Sequence, residues 1–132
     1  MISLILAAAV AAQAGIVSVT FSGLTPNQGH LDAELCTAAE YVRYTCARHL
    51  RLKVEGNQLI ADFHDVPGGR YAVMSYQDVN NDAKINRDLV GRPTEPWGYS
   101  GTPEFVMGPP SFDSVAIDVP ASGTTLSIHM EK

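Results

Sequence analysis

The sequence predicts an all-β chain, an antiparallel sandwich of two sheets and about seven strands with one long ordered loop. Three observations point there. Apolar and polar residues alternate with period two through most of the chain, and no amphipathic helix of useful length interrupts them. The alternation fails only between Asp78 and Ser111, where prolines and glycines gather among polar residues and aromatics.

The strands follow in order. Val17, Val19 and Phe21 alternate with Ser18, Thr20 and Ser22, and Leu31, Ala33 and Leu35 with His30, Asp32 and Glu34. Leu50, Leu52 and Val54 alternate with Arg51, Lys53 and Glu55; the turn Gly56-Asn57 then leads to Leu59, Ala61 and Phe63, so these two runs are expected to form a hairpin. At Val66-Pro67-Gly68-Gly69 a turn is expected, with proline preset for its second position and glycine supplying a positive φ at its third. The run RYAVMSYQD after it is apolar on both faces, which predicts a central strand covered on each side. Val115, Ile117 and Val119, then Leu126, Ile128 and Met130, complete the set, the Ig-like pattern of a two-sheet sandwich.

With 132 residues, 45% of them hydrophobic and 17% charged, the chain is long enough for one domain with a core and too apolar to be disordered. The net charge is −5 and the basic residues are scattered, which argues against a nucleic-acid partner.

The N-terminus reads MISLILAAAVAAQA. Its apolar run ends in Ala12-Gln13-Ala14, a small-x-small sequence of the kind signal peptidase accepts, although the amino end carries no Lys or Arg. The run is shorter than the roughly 20 apolar residues a membrane span requires. Residues 1–14 are expected to be a signal peptide and 15–132 a single mature β-sandwich domain without a membrane span, periplasmic or secreted, in which 78–111 is a long loop insertion. Cys36 and Cys46 fit an oxidising compartment and predict one structural disulfide; neither a C-x-x-C pair nor a zinc set is present.

The run VPGGRYAV, then QDVNNDAKIN, GRPTEPWGYS and GPPSFDSVAI, resembles the bacterial family known as domain of unknown function 2141. The resemblance rests on a P-G-x-Y-A-V turn and strand, an H-D-x-N-x-N-G-K-L-D-like loop, a G-x-P-x-E-x-x-G-F-S segment and a P-x-F stretch. Gln77 stands where His is common, Ala83 replaces the loop glycine, Asn86 replaces Asp, and Tyr99 stands for Phe. It implies an exported β-sandwich, similar to transthyretin-like and carboxypeptidase-regulatory-like domains, and no established activity.

The loop DVNNDAKIN places Asp78, Asn80 and Asp82 at positions one, three and five of an EF-hand order, Lys84 at seven through its carbonyl, and Asn86 at nine. That spacing suits Ca2+. Ala83 at position six and Leu89 at twelve depart from it, so a further carboxylate has to come from Asp88 or Glu95. The competing expectation is a metal-free loop closed by successive Asx-turns. A catalytic carboxylate pair drawn from Asp78, Asp82 and Glu95, as in a small hydrolase or sugar-active enzyme, is the alternative function. No nucleophile elbow or His-based metal spacing occurs, and no catalytic residue is assigned.

In RPTEPWGYSGTPEF, Trp97 and Tyr99 are candidates for a ligand surface, presenting flat faces to a sugar ring or a peptide with Glu95 or Glu104 as polar partner. A loop this long needs a core of its own, and this favours the alternative in which Trp97, Tyr99 and Phe105 turn inward. The sequence thus points to an exported, non-catalytic module with a carbohydrate or protein partner, or to a cell-envelope accessory protein with no small ligand.

Overall fold

The computed structural model describes residues 14–87, 89, 93–105 and 107–132. The expected signal peptide therefore lies, but for Ala14, outside the described residues, as does Asp88. Eight strands and two short helices run β1 (Ala14–Ser22), β2 (His30–Cys36), α1 (Ala38–Arg43), β3 (Arg48–Lys53), β4 (Leu59–Pro67), β5 (Gly69–Asp78), β6 (Trp97–Tyr99), α2 (Phe112–Val115), β7 (Ala116–Val119) and β8 (Gly123–His129). None of these helices is long and apolar enough to cross a membrane.

The strands form two packed sheets, the sandwich that the alternation predicts. One is three-stranded, β4-β1-β8; the other is five-stranded, β3-β2-β5-β6 with β7 also on β5. Alternate residues meet between them: Val17, Val19 and Phe21 on β1, Ala61 and Phe63 on β4 and Ile128 on β8, against Leu31, Ala33 and Leu35 on β2, Tyr71 and Val73 on β5 and Val119 on β7. Burying these side chains contributes about 25 cal/mol per Å² of apolar surface and is the main force holding the layers together.

Four details differ from the expectations. β3 and β4 are not a hairpin: β3 pairs with β2 and β4 with β1, so the Gly56-Asn57 turn crosses between sheets. Period-two alternation fixes which face of a strand is buried but not which strand it pairs with. β1 and β8 run parallel, the one parallel pair among the named strands. Neither Gly68 nor Gly69 takes a positive φ; Asp65 does instead, at 54°. Gly68 serves close approach, since a Cβ there would come within 3.0 Å of the Ala121 nitrogen. Finally, the 78–111 excursion holds a strand. β6 is only three residues long with glycine at its centre, too short to show as alternation, and it forms against the free edge of β5.

Between the cysteines, Thr37 caps α1 in a reciprocal box: its hydroxyl accepts the Glu40 N–H (3.3 Å) and the Glu40 carboxylate accepts the Thr37 N–H (2.9 Å). The Cys36 and Cys46 sulfurs lie 2.02 Å apart, at disulfide distance. At the other end of the sheet, Gln77 is fully buried; its side-chain oxygen accepts the Thr25 N–H, and its amide donates to the Thr25 and Gln28 carbonyls. Every hydrogen of that amide is used, so this polar group can sit in the core without the cost of an unmade bond.

Candidate functional site

The outer face of the five-stranded sheet is the candidate site, and the strand register builds it. Across one rung, Arg51 (β3), Asp32 (β2), Tyr76 (β5) and Trp97 (β6) stand side by side; across the next stand His49, Glu34, Met74 and Tyr99. Directly opposed residues share a face, so all eight side chains project from the same side. The loop after β5 and the segment after β6 rise over them, adding Ile85, Arg87, Pro93 and Phe105, while Tyr44 leans in from the end of α1. The result is a groove of about 1090 Å³, within reach of the volumes that hold small ligands.

Its polar groups divide into two kinds. Asp32 is buried and fully engaged: His49 Nε2 lies 2.8 Å from one oxygen and Arg51 donates to the other at 2.5 Å. Arg51 also donates to Asp78 at 3.0 Å, and that bond chiefly holds its pKa above the usual guanidinium value. Glu34 is different. Among the described residues no hydrogen bond or salt bridge reaches its carboxylate, and it is half-buried. Burial raises its pKa; His49 pulls it back and Asp32 adds to the rise.

The tyrosines divide the same way. Tyr41 and Tyr71 donate to the carbonyls of Pro110 and Pro67. Tyr44, Tyr76 and Tyr99, the three that line the groove, have no hydroxyl partner among the described residues, and neither has the indole N–H of Trp97. Burial, reinforced by the negative charges of Asp32 and Asp78, pushes Tyr76 up to about 12.

The loop carboxylates form a second, separate cluster at one end of this face. Asp78 ends β5 with no exposed surface. Its two oxygens accept the Asp82 (3.1 Å) and Ala83 (2.8 Å) N–H groups, the second oxygen also taking Arg51. Glu95 is 4% exposed and accepts the Val79 and Asn86 N–H groups, each at 2.7 Å. Asp82 accepts the Lys84 N–H and the side-chain amides of Asn80 and Asn86. Carboxylate oxygens of Asp78, Asp82 and Glu95 lie within 4.8 Å of one another. Glu95, one of the two candidates for a further carboxylate, thus lies beside Asp78 and Asp82; the other, Asp88, lies outside the described residues. Lys84 is exposed, and Asn86 Oδ1 is buried without a hydrogen-bond partner among the described residues.

This arrangement answers several expectations at once. The loop is closed by Asx-type bonds, and the three carboxylates that could have formed a catalytic pair face loop amides. Glu95 lines a separate recess, and its two oxygens accept the Val79 and Asn86 N–H groups. Trp97 and Tyr99 are half-buried in the wall of the groove, Tyr99 also packing against the buried cluster of Cys36, Tyr41, Ala72 and Val115, and they form no flat exposed platform.

Asp32, Glu34, His49, Arg51 and Tyr76 do not stand out in the sequence as site residues. One signal marks them: RYAVMSYQD is apolar on both faces, so its outer face also requires a cover, and the polar partners of HLDAEL and RHLRLK belong to that covered side.

No curated protein and no solved structure matches this chain. The sequence motifs, the two-sheet fold and a family match that spans nearly all of the sandwich agree: the chain belongs to the family described as uncharacterized protein conserved in bacteria (DUF2141), matched over residues 19–127.

Proposed function

We propose that the protein is an exported, non-catalytic binding module whose ligand lies in the groove on the outer face of the five-stranded sheet. One observation carries this: the groove holds three tyrosine hydroxyls, an indole N–H and a carboxylate with no hydrogen-bond partner among the described residues, while the tyrosines elsewhere are tied to backbone carbonyls. Polar groups left open among aromatic walls are what ligand sites offer. Export rests on the signal-like N-terminus and on a cysteine pair at disulfide distance. Catalysis by the loop carboxylates is disfavoured, because Asp78 and Glu95 each spend both oxygens on N–H donors.

The test is a magnetic-resonance titration with saccharides, short peptides and amines, following the Trp97 indole N–H and the amides of Met74 and Tyr76. Binding shifts these signals and leaves β1, β4 and β8 unmoved. If no class moves them at millimolar concentration, the accessory role without a small ligand takes its place.

A second reading concerns the loop alone. Three carboxylates within 4.8 Å of one another, beside the unpartnered Asn86 Oδ1, favour a divalent cation such as Ca2+ held by Asp78, Asn80, Asp82, Asn86 and Glu95, with the Lys84 carbonyl. Lys132 lines a recess with Asn80, Asn86 and Glu95 and supplies a competing charge. Calorimetry with Ca2+ is expected to give a dissociation constant on the order of 10⁻⁴–10⁻³ M. No heat, with a melting temperature indifferent to EDTA, rejects this reading.

A further inference from the structure

We infer that the ligand of this groove presents a compact cationic ammonium group, seated over Met74 between the rings of Trp97, Tyr99 and Phe105 and the carboxylate of Glu34. This rests on the groove reading above and narrows it to a chemical class.

The first support is the arrangement of the rings. Trp97 and Phe105 lie 5.3 Å apart at 84°, Trp97 and Tyr99 6.0 Å apart at 68°, and Tyr99 and Phe105 6.1 Å apart at 69°. Three planes steeply inclined to each other make a corner, not a platform. A flat sugar ring stacks best on one open face, whereas a rounded trimethylammonium group fills a corner and meets several negative ring faces at once.

The second support is charge. Of the basic groups of the groove, Arg51 is engaged by Asp32 and Asp78 and His49 by Asp32; Arg87, whose charge reaches Tyr99, has interactions of its own. Glu34, near the His49 ring, has no hydrogen-bond or salt-bridge partner among the described residues, and a ligand cation supplies one. Placement agrees. Glu34, Met74 and Tyr99 share one rung, so Glu34 and Tyr99 stand two strand spacings apart, about 10 Å, with Met74 between them. A cation above Met74 therefore has the carboxylate on one side and the aromatic corner on the other.

Trp97 is the only tryptophan, so its fluorescence reports from within the site. The probes are tetramethylammonium and choline, set against the neutral tert-butyl isostere of choline, which has the same shape without the charge. The ammonium probes are expected to change Trp97 emission saturably in the millimolar range, with the isostere about tenfold weaker or more. Glu34→Gln, at a half-exposed position outside the core, is expected to weaken choline by about tenfold with an unchanged melting curve. Equal binding of choline and its isostere overturns the inference, without need of any variant, and so does a folded Glu34→Gln protein with undiminished affinity. Saccharide binding at Trp97 with no response to ammonium probes defeats the inference and leaves the groove reading standing. Silence toward every class defeats both.

Discussion

Arg51 on β3 reaches across the neighbouring strand to bond the carboxylate of Asp78, at the end of β5, at 3.0 Å. The same guanidinium holds Asp32 on the strand between. One cation thus ties the groove floor to the root of the acidic loop. Asp78 then passes the constraint on, because its oxygens accept the Asp82 and Ala83 N–H groups that turn the loop.

Asp78→Ala therefore removes three acceptor bonds from a site with no exposed surface and leaves Arg51 half-paired. Loss of about 3 kcal/mol or more of unfolding free energy is expected, the usual cost of orphaning buried polar and charged partners. Urea denaturation measures it. A loss below about 1 kcal/mol, the worth of one ordinary exposed pair, contradicts the bracing role.

Reducing the Cys36–Cys46 pair releases the short segment carrying α1, Tyr44 and the Tyr41 anchor to Pro110. A loop closed over a sequence separation of 10 corresponds to about 2–3 kcal/mol of chain entropy in the unfolded state. The double substitution to alanine is expected to lower the urea midpoint accordingly, with a slope equal or slightly steeper because the unfolded chain is less constrained. Two free thiols in the protein purified without reductant contradict this prediction.

Tyr41 and Tyr76 are both pushed up to about 12, and in each burial is the chief cause. Tyr99 and Tyr44 add to the effect at Tyr41. At Tyr76, Asp32, Asp78 and Glu95 add to it and Arg51 opposes it. An unfolded tyrosine ionises near 10, so the folded state favours the neutral phenols. Their contribution to stability is complete below about pH 10 and is lost as pH rises toward 12. Ultraviolet titration is expected to show these two phenolates appearing late, as the protein loses stability. A single uniform transition near 10 in the folded protein contradicts it.

How much of this was legible depends on what each pattern encodes. Alternation marks the buried faces correctly, because a strand beside a core needs an apolar group at every second residue; Val17, Val19 and Phe21 are all fully buried. It is silent on partners, so Leu52 and Leu59 suggested a hairpin although their strands lie in opposite sheets. The cysteine pair and the spacing of Asp78, Asn80 and Asp82 were visible because they are local. The groove was not, since Arg51, Asp32, Tyr76 and Trp97 meet only through the register of four strands. β5 held the hint, in the apolar Met74 and Tyr76 on the face opposite Val73.

Ala83 offers the sharpest test of the loop itself. It occupies the position where a glycine is usual in the EF-hand order, and its φ of 63° is left-handed. For a residue with a Cβ this conformation costs roughly 1–2 kcal/mol, which glycine avoids. The Ala83 N–H is held by Asp78, so the backbone cannot relax out of the turn without breaking that bond. Against the gain stands the greater freedom of glycine in the unfolded chain, about 0.4–1 kcal/mol. The difference favours glycine. Ala83→Gly is expected to stabilise the protein by about 0.5–1 kcal/mol in urea denaturation, the reverse of the usual effect of glycine. It is also expected to slow exchange of the Ala83 and Asp82 amides, because the turn they belong to opens less often. A destabilised variant with faster exchange shows that the turn is not strained at Ala83 and that the loop is held by its carboxylates alone.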